Sequence, residues 1–216
     1  MAAVPPLYHE RQQGALCAVH AANNLLQRAA FTRGDFARLQ RRVPAEAAPA
    51  CGGCLRCCPE RWCCRRCRVG EDFGNFDANV LLMALGEKRT ALQHWDARKT
   101  DVDQLLGRLE AETCTGALLH TTAASHGCLV AAGMRCLARC FGQNGHWLAL
   151  LRRTPQGTGE EQVFVVDLDS KLAAPKAYTK QGARALLARH LRVNTTILLA
   201  SRMDAAQKGP SVYDTK

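Results

Sequence analysis

Two short apolar runs in the last third of the chain, HWLALLR and EQVFVVDLD, place the strongest constraint on its fold. They lie on either side of RTPQGTGE, which contains the Gly, Pro and Thr residues typical of turns. This arrangement predicts two adjacent antiparallel strands joined by a hairpin. A later apolar run, TTILLAS, predicts a further buried strand, and the spacing in TKQGARALLARHLR predicts a helix before it.

The first half of the chain has the periodicity of helices. Apolar residues recur at helical spacing through residues 15–28, so Cys17 is predicted to lie in the first turn of a helix. FTRGDFARLQRRV predicts a second helix, with Thr32 as its N-cap and Asp35 three residues later. NFDANVLLMALGEKR and DVDQLLGRLEAE predict two more helices, the second capped and starting from Asp101, and LQHW predicts a short strand. Helices followed by strands predict an α+β fold.

The length and composition of the chain match a folded domain. A chain of 216 residues suits one domain, and its 47% apolar and 22% charged residues are typical of a globular protein. No apolar run is long enough to cross a bilayer, and MAAVPPLYHERQQG lacks the pattern of a secretory signal. We therefore expect an intracellular protein, in the cytoplasm or the nucleus or both, with reduced cysteines.

The formal net charge of +10 raises the question of nucleic-acid binding. Much of the excess is local, because five arginines and one glutamate lie between positions 51 and 70. No basic helix with interleaved aromatic residues occurs elsewhere. We therefore expect no nucleic acid as the main partner.

Cys17 is the first candidate for a chemical role. A thiol attacks as the thiolate, and its pKa falls at a helix N-terminus or beside an imidazolium. A cysteine nucleophile also needs a base, a group that orients the base, and donors for an oxyanion. The alternative for a cysteine in a helix is a small buried side chain.

His146 is the candidate base, because NGHWLALL places it at the entry to an apolar strand. Asp167 ends the next apolar run, and the predicted hairpin would bring positions 146 and 167 together. The carboxylate of Asp167 would then fix the imidazole tautomer. Cysteine, then a distant histidine, then an acid or amide on the next strand is the chain order of papain-like cysteine proteases.

Gln12 and His20 flank Cys17 in sequence. Gln12 lies five residues before it, across a turn containing Gly14, so its side-chain amide and the Cys17 N–H could both donate to one oxyanion. His20 lies on nearly the same helix face as Cys17. A base inside the same helix leaves little room for substrate, so we expect a structural or supporting role for His20.

A cluster of seven cysteines offers a different function. The pairs Cys51/Cys54 and Cys64/Cys67 have the C-x-x-C spacing of zinc knuckles, and four thiolates could hold a tetrahedral zinc ion. The other interpretation is a low-complexity insertion without a metal. On the first interpretation the chain would be a zinc-binding interaction protein through residues 51–67.

Several of these segments resemble the Josephin-domain family of deubiquitinating cysteine proteases. YHERQQGALCAVHAANNLLQ is similar to the family's opening motif, with Gln, Cys and the second His in register. FTRGDFARLQRRV, GNFDANVLLMAL, GHWLALLR and VVDLDSKLAAP resemble its later segments. The resemblance implies a papain-like α+β fold, a helical lobe plus an antiparallel sheet, and hydrolysis after the C-terminal glycine of ubiquitin. Its partners would be ubiquitin and ubiquitinated proteins, and no cofactor is required.

Carried onto this sequence, the resemblance implies Cys17 as nucleophile, His146 as general base and Gln12 as oxyanion donor. Asp167 occupies the family's third position, commonly Asn, and would orient His146. Asp169 falls on the same sheet face and remains an alternative, although we expect Asp167→Ala to lower turnover more than Asp169→Ala.

The predicted organisation is an N-terminal tail (1–6), a catalytic domain (7–203) and a C-terminal tail (204–216). Two stretches depart from the family pattern, a Cys/Arg-rich insertion at about 44–70 and a second at about 119–144. The second precedes His146, so a catalytically inactive ubiquitin-binding module is a further alternative.

Overall fold

The computed structural model describes residues 6–43, 76, 78–96, 101–122, 145–153, 162–193 and 195–203. Within these ranges, the helices and strands follow the predicted order, and two further strands occur. Their order and bounds are α1 (Cys17–Leu26), α2 (Arg33–Gln40), α3 (Ala78–Glu87), β1 (Thr90–Trp95), α4 (Val102–Glu110), β2 (Cys114–Thr122), β3 (Gly145–Arg152), β4 (Val165–Asp167), β5 (Lys176–Tyr178), α5 (Lys180–Arg192) and β6 (Thr196–Arg202).

Local sequence signals explain where several helices begin. Thr32 caps α2 in a reciprocal capping box, since its hydroxyl accepts from the Asp35 N–H and the Asp35 carboxylate accepts from the Thr32 N–H. Asp101 caps α4 by accepting from the Gln104 N–H. These predictions are confirmed. α1 is shorter than predicted and starts at Cys17 itself.

The strands form one antiparallel sheet in the order β1-β6-β2-β3-β4-β5. The predicted hairpin is confirmed as the pair β3 and β4. CTGALLHTT gave no clear prediction, yet it forms β2, which lies between β6 and β3. Residues 119–122 of the predicted second insertion therefore belong to this strand. The short strand β5 was also missed.

Helices pack on both faces of the sheet and bury two apolar clusters. On one face, α1, α2 and α3 pack against alternating residues that include Leu118 and Ala149. On the other face, α4 and α5 pack against the intervening residues, including Leu119 and Leu148. Each fully buried leucine stabilises the fold by about 1.5–3 kcal/mol. The mixed helical and antiparallel architecture confirms the predicted α+β class.

The packing of α1 against the sheet brings the start of this helix next to the start of a strand. Most of α1 is buried, and the small residues Ala18, Ala21 and Ala22 allow it to pack closely against its neighbours. β3, which begins at Gly145, is the strand that α1 contacts most extensively. The first turn of the helix and the first residues of the strand therefore meet. In the part of the chain that the structure describes, no helix is long and apolar enough to cross a membrane.

Candidate active site

Cys17 is the first residue of α1 and is only 6% exposed. The residue before it, Leu16, makes no side-chain capping bond, so the N-cap side chain does not occupy the first N–H groups of the helix. Burial alone would raise the pKa of the Cys17 thiol. Hydrogen bonds from His146 and from the backbone N–H groups of Trp147 and Ala18 outweigh that effect and lower the pKa. The surroundings of Cys17 thus favour a thiolate.

His146 is the second residue of β3 and bridges Cys17 to an acid. Its Nε2 lies 2.6 Å from the Oδ1 of Asp169, and the ring also hydrogen bonds to Cys17. Burial would lower the pKa of His146, but the hydrogen bonds and the negative charges of Asp169 and the Cys17 thiolate raise it. The site therefore stabilises an imidazolium beside a thiolate.

The geometric prediction for Asp167 is wrong, because Asp169 makes the contact with His146. The register of the hairpin explains this result. Asp167 pairs with Leu150, four residues along β3 from His146, which is about 13 Å at strand spacing. Asp169 follows β4 and lies two residues closer to the His146 end. The sequence predicted a hairpin, but its long connection left the register open.

Asp167 instead supports the turn that carries Asp169. Its Oδ1 accepts a hydrogen bond of 2.9 Å from the Asp169 N–H. Burial raises the pKa of Asp167 to about 6, whereas hydrogen bonds from His146 and the Lys171 N–H outweigh burial and lower the pKa of Asp169. Of the two acids, Asp169 is therefore the one whose surroundings favour the carboxylate.

The N-terminal segment and α1 both hydrogen bond to the backbone around Asp169. The His9 ring lies 3.0 Å from the carbonyl of Asp169, and the Asn24 amide donates to the carbonyl of Leu168 at 2.9 Å. The Gln12 N–H donates to the carbonyl of Ser170 at 2.7 Å. Backbone contacts on consecutive residues thus fix the position of the acid.

Gln12 lies in the turn before Cys17, where Gly14 has a φ of +59°. Its Nε2 donates to the carbonyl of Gly14 at 2.8 Å, which uses one of the two amide hydrogens. Its Oε1 has no hydrogen-bond partner within the described ranges. Gln12 also lines a polar depression between residues 11–14 and 170–171. An amide hydrogen thus remains for a ligand.

His20 does not contact the Cys17 thiol. Its Nδ1 lies 2.7 Å from the Oε2 of Glu10, and its Nε2 accepts from the N–H of Gln13 at 3.2 Å. Both ring nitrogens are therefore occupied by the segment that precedes α1. This geometry agrees with the supporting role that we expected for His20.

Sequence reasoning missed the polar network around Glu10. Asn23 and Asn24 are buried, at 2% and 0% exposed, and both contact Glu10 or the segment beside it. The signal was present, because two adjacent amides lie inside an otherwise apolar helical pattern. Buried polar side chains need partners, so they indicate a segment packed across the helix.

The predicted zinc ligands Cys51, Cys54, Cys64 and Cys67 lie outside the described residues, as does most of the first insertion. Among the residues that the structure does describe, no group of three or more His, Cys, Asp or Glu side chains could hold a metal ion. Cys17 and Cys114, the cysteines in the described ranges, are both free thiols.

A protein-family model decides the relationship of the chain to known proteins. The model described as Josephin matches residues 12–201, which span the thiol, imidazole and carboxylate described above. The chain belongs to the Josephin family. Members of this family are generally deubiquitinating cysteine proteases with a papain-like fold, and the α+β architecture of this Josephin chain agrees with that fold.

Individual relatives support the assignment across most of the Josephin chain. It is 33% identical to Josephin-2 of Homo sapiens over 208 residues, which cover 95% of this chain and 91% of that protein. It is also 33% identical to Josephin-2 of Mus musculus over 186 residues, which cover 85% of this chain and 79% of that protein. The similarity is thus spread along the chain.

Proposed function

We propose that the chain is a deubiquitinating cysteine protease that hydrolyses isopeptide and peptide bonds after the C-terminal glycine of ubiquitin. The observation that carries the proposal is the hydrogen-bonded series Cys17, His146 and Asp169 at the junction of α1 and β3. The Josephin family binds ubiquitin, which supports the substrate class. Ubiquitinated proteins would be the substrates, inside the cell, and no cofactor takes part.

Acylation would begin from the Cys17 thiolate and the His146 imidazolium. The sulfur attacks the carbonyl carbon of the terminal glycine, and the carbonyl electron pair moves to oxygen. As this tetrahedral intermediate collapses, the C–N bond breaks and His146 gives its proton to the leaving lysine amine. Asp169 stabilises the imidazolium and keeps the ring oriented toward sulfur.

Deacylation reverses the proton transfer with water as the nucleophile. Neutral His146 takes a proton from water, and the resulting hydroxide oxygen attacks the thioester carbonyl. The C–S bond then breaks, which releases the ubiquitin C-terminus as a carboxylic acid and restores the Cys17 thiolate. The acid loses its proton to solvent and becomes the carboxylate. The proton remains on His146, so the thiolate and imidazolium are ready for the next cycle.

The oxyanion of each intermediate needs donors aimed at one point near Cys17. We assign the second amide hydrogen of Gln12 and the backbone N–H of Cys17 to this role. Gln12 lies before α1 and Cys17 is its first residue, so both groups are at the helix N-terminus, where the helix dipole favours an oxyanion. Loss of one such donor typically lowers kcat by about 10²–10³-fold.

Hydrolysis of a ubiquitin C-terminal fluorogenic amide and of lysine-linked di-ubiquitin tests the proposal. Wild-type protein should release the fluorophore and single ubiquitin, and Cys17→Ala should release neither. Cys114→Ala is the matched control, because Cys114 is also buried and burial raises its pKa. Equal hydrolysis by wild type and Cys17→Ala, or none by wild type, would overturn the proposal. In the second case, binding of ubiquitin without hydrolysis would identify an inactive ubiquitin-binding module.

A further inference from the structure

His20 links the turn before Cys17 to a fixed carboxylate. The Gln13 N–H donates to His20 Nε2 at 3.2 Å, and His20 Nδ1 lies 2.7 Å from Glu10 Oε2. Because Nε2 accepts a hydrogen bond, the proton of the neutral ring lies on Nδ1 and is donated to Glu10. The ring therefore bridges two points of the same segment, three residues apart.

Glu10 is held firmly enough to fix that tautomer. The Asn23 amide donates to both carboxylate oxygens, at 3.2 and 3.1 Å, and the Tyr8 hydroxyl donates to Oε1. Burial would raise the pKa of Glu10, but hydrogen bonds from Tyr8, His20 and Asn23 outweigh it and lower the pKa. Glu10 is thus a carboxylate that accepts from Nδ1 and leaves Nε2 as an acceptor.

The bond from Gln13 to His20 restrains the residue between Gln12 and Gly14. The Gln12 N–H is bound to the carbonyl of Ser170, and its side-chain Nε2 is bound to the carbonyl of Gly14. His20 supplies the third restraint, in the middle of the turn. With all three present, the second amide hydrogen of Gln12 has a fixed direction.

We propose that His20 is a positioning residue that acts through Gln12, holding the 12–14 turn so that the Gln12 amide reaches the oxyanion. This inference rests on the proposed function. His20 is not a second base, since both of its nitrogens are occupied and neither contacts sulfur. Glu10 and His20 thus position the oxyanion donor Gln12, whereas Asp169 and His146 stabilise the Cys17 thiolate.

Two substitutions of His20 distinguish the loss of its hydrogen bond from the loss of its side-chain volume. His20→Ala removes the acceptor for the Gln13 N–H, whereas the side-chain carbonyl of His20→Gln can replace it. We expect His20→Ala to lower kcat on the ubiquitin amide by about tenfold or more, with KM changed less than about twofold, because a misplaced donor weakens the transition state. His20→Gln should recover most of kcat. Recovery of kcat in His20→Gln would show that the loss in His20→Ala comes from the missing hydrogen bond and not from the missing side-chain volume.

A double-mutant cycle with Gln12→Ala gives the decisive measurement. If His20 acts through Gln12, adding His20→Ala to Gln12→Ala should lower kcat by less than about twofold more. Independent, multiplicative losses would overturn the proposal, as would equal kcat for wild type and His20→Ala. A rise in KM without a fall in kcat would also overturn it.

Hydrogen exchange at the Gln13 amide tests the structural link without relying on activity. The amide should be protected in wild type and in His20→Gln and should exchange faster in His20→Ala, with protection in the core of α5 unchanged. Equal exchange in all three proteins would overturn the positioning role. An inactive wild type with this exchange pattern would instead overturn the proposed function and leave the link between His20 and Gln13 established.

Discussion

His146 pairs with Asp169, not with the acid at the end of its neighbouring strand. The two side chains approach to 2.6 Å, and Asp167 contacts the backbone of Asp169 instead. The two acids therefore have different roles, because Asp169 contacts the imidazole and Asp167 hydrogen bonds to the backbone of the turn that carries Asp169. Each role leads to a different prediction.

Asp169→Ala should lower kcat on a ubiquitin C-terminal amide by about 10²–10⁴-fold, since the imidazolium loses its partner and its orientation. Asp167→Ala should lower kcat by less, because it removes only a bond to the Asp169 backbone. This order reverses the one expected from sequence. A larger loss for Asp167→Ala, measured in the same assay with both variants folded, would return the orienting role to position 167.

Asp167→Asn should stabilise the protein at neutral pH. The folded state raises the pKa of Asp167 from 3.8 to about 6, so the folded state holds this proton more tightly than the unfolded state does. The protonated Asp167 carboxyl therefore stabilises the folded state below about pH 4, and this stabilisation is lost as the pH rises through about 6. The loss is on the order of 3 kcal/mol.

Chemical denaturation of wild type and Asp167→Asn at pH 4.5 and 7.5 measures this effect. The variant should be the more stable protein at pH 7.5, and the gap should shrink at pH 4.5. Asn keeps the oxygen that accepts from the Asp169 N–H, so turnover should change little. A wild type that is equally stable or more stable at pH 7.5 would contradict the assignment of a costly buried carboxylate.

Alkylation of Cys17 should begin at a lower pH than alkylation of an ordinary thiol. The pKa of Cys17 is lowered and that of His146 is raised, because the thiolate and the imidazolium stabilise each other. Asp169→Asn removes the charge that stabilises the imidazolium. The pKa of His146 should fall and the onset of alkylation should move to higher pH.

Iodoacetamide modification across a pH series, read by mass spectrometry on the peptide that contains Cys17, checks this prediction. The peptide that contains Cys114 is the internal control, because burial raises the pKa of that thiol. If alkylation of Cys17 begins at the same pH in Asp169→Asn as in wild type, Asp169 does not influence the Cys17 thiolate. That result would contradict the coupling of the two residues through His146.

Gly116 should be intolerant of any side chain. It has a φ of +155° at an irregularity in the pairing of β2 with β6, and a Cβ there would overlap the carbonyl oxygen of Leu150 on β3. Gly116→Ala should therefore destabilise the fold by at least about 2 kcal/mol. Gly107 provides a matched control in α4, where a Cβ would meet nothing within 4 Å.

Gly107→Ala should stabilise the protein by about 0.5–1 kcal/mol, because alanine has the higher helix propensity. Thermal unfolding of the two variants beside wild type gives both signs in one experiment. Equal melting temperatures for Gly116→Ala and wild type would contradict the close approach of β2 and β3 at Gly116 and Leu150.

The sequence determined the elements of the site better than their register. Thr32 and Asp101 were identified as caps because capping depends on residues only three positions apart. Cys17 and His146 were selected because a helix start and a strand entry are local features. Asp169 was not preferred, since its contact depends on a hairpin register that local pattern does not encode.

β2 was missed for a related reason. It lies inside the sheet with helices over both faces, so its small and apolar residues lack the alternation of a strand exposed on one side. The Glu10 network was missed because its members are distant in sequence. Only the buried amides of Asn23 and Asn24 gave a local indication.

The central claim is that Cys17 is the nucleophile of a ubiquitin-directed protease. The most direct measurement is reaction with ubiquitin carrying a thiol-reactive electrophile at its C-terminus, followed by mass spectrometry of the peptide that carries the adduct. We predict one ubiquitin per chain, attached to Cys17, with no adduct in Cys17→Ala and an undiminished adduct in Cys114→Ala. An adduct that persists in Cys17→Ala, or that maps to another cysteine in wild type, would contradict the account.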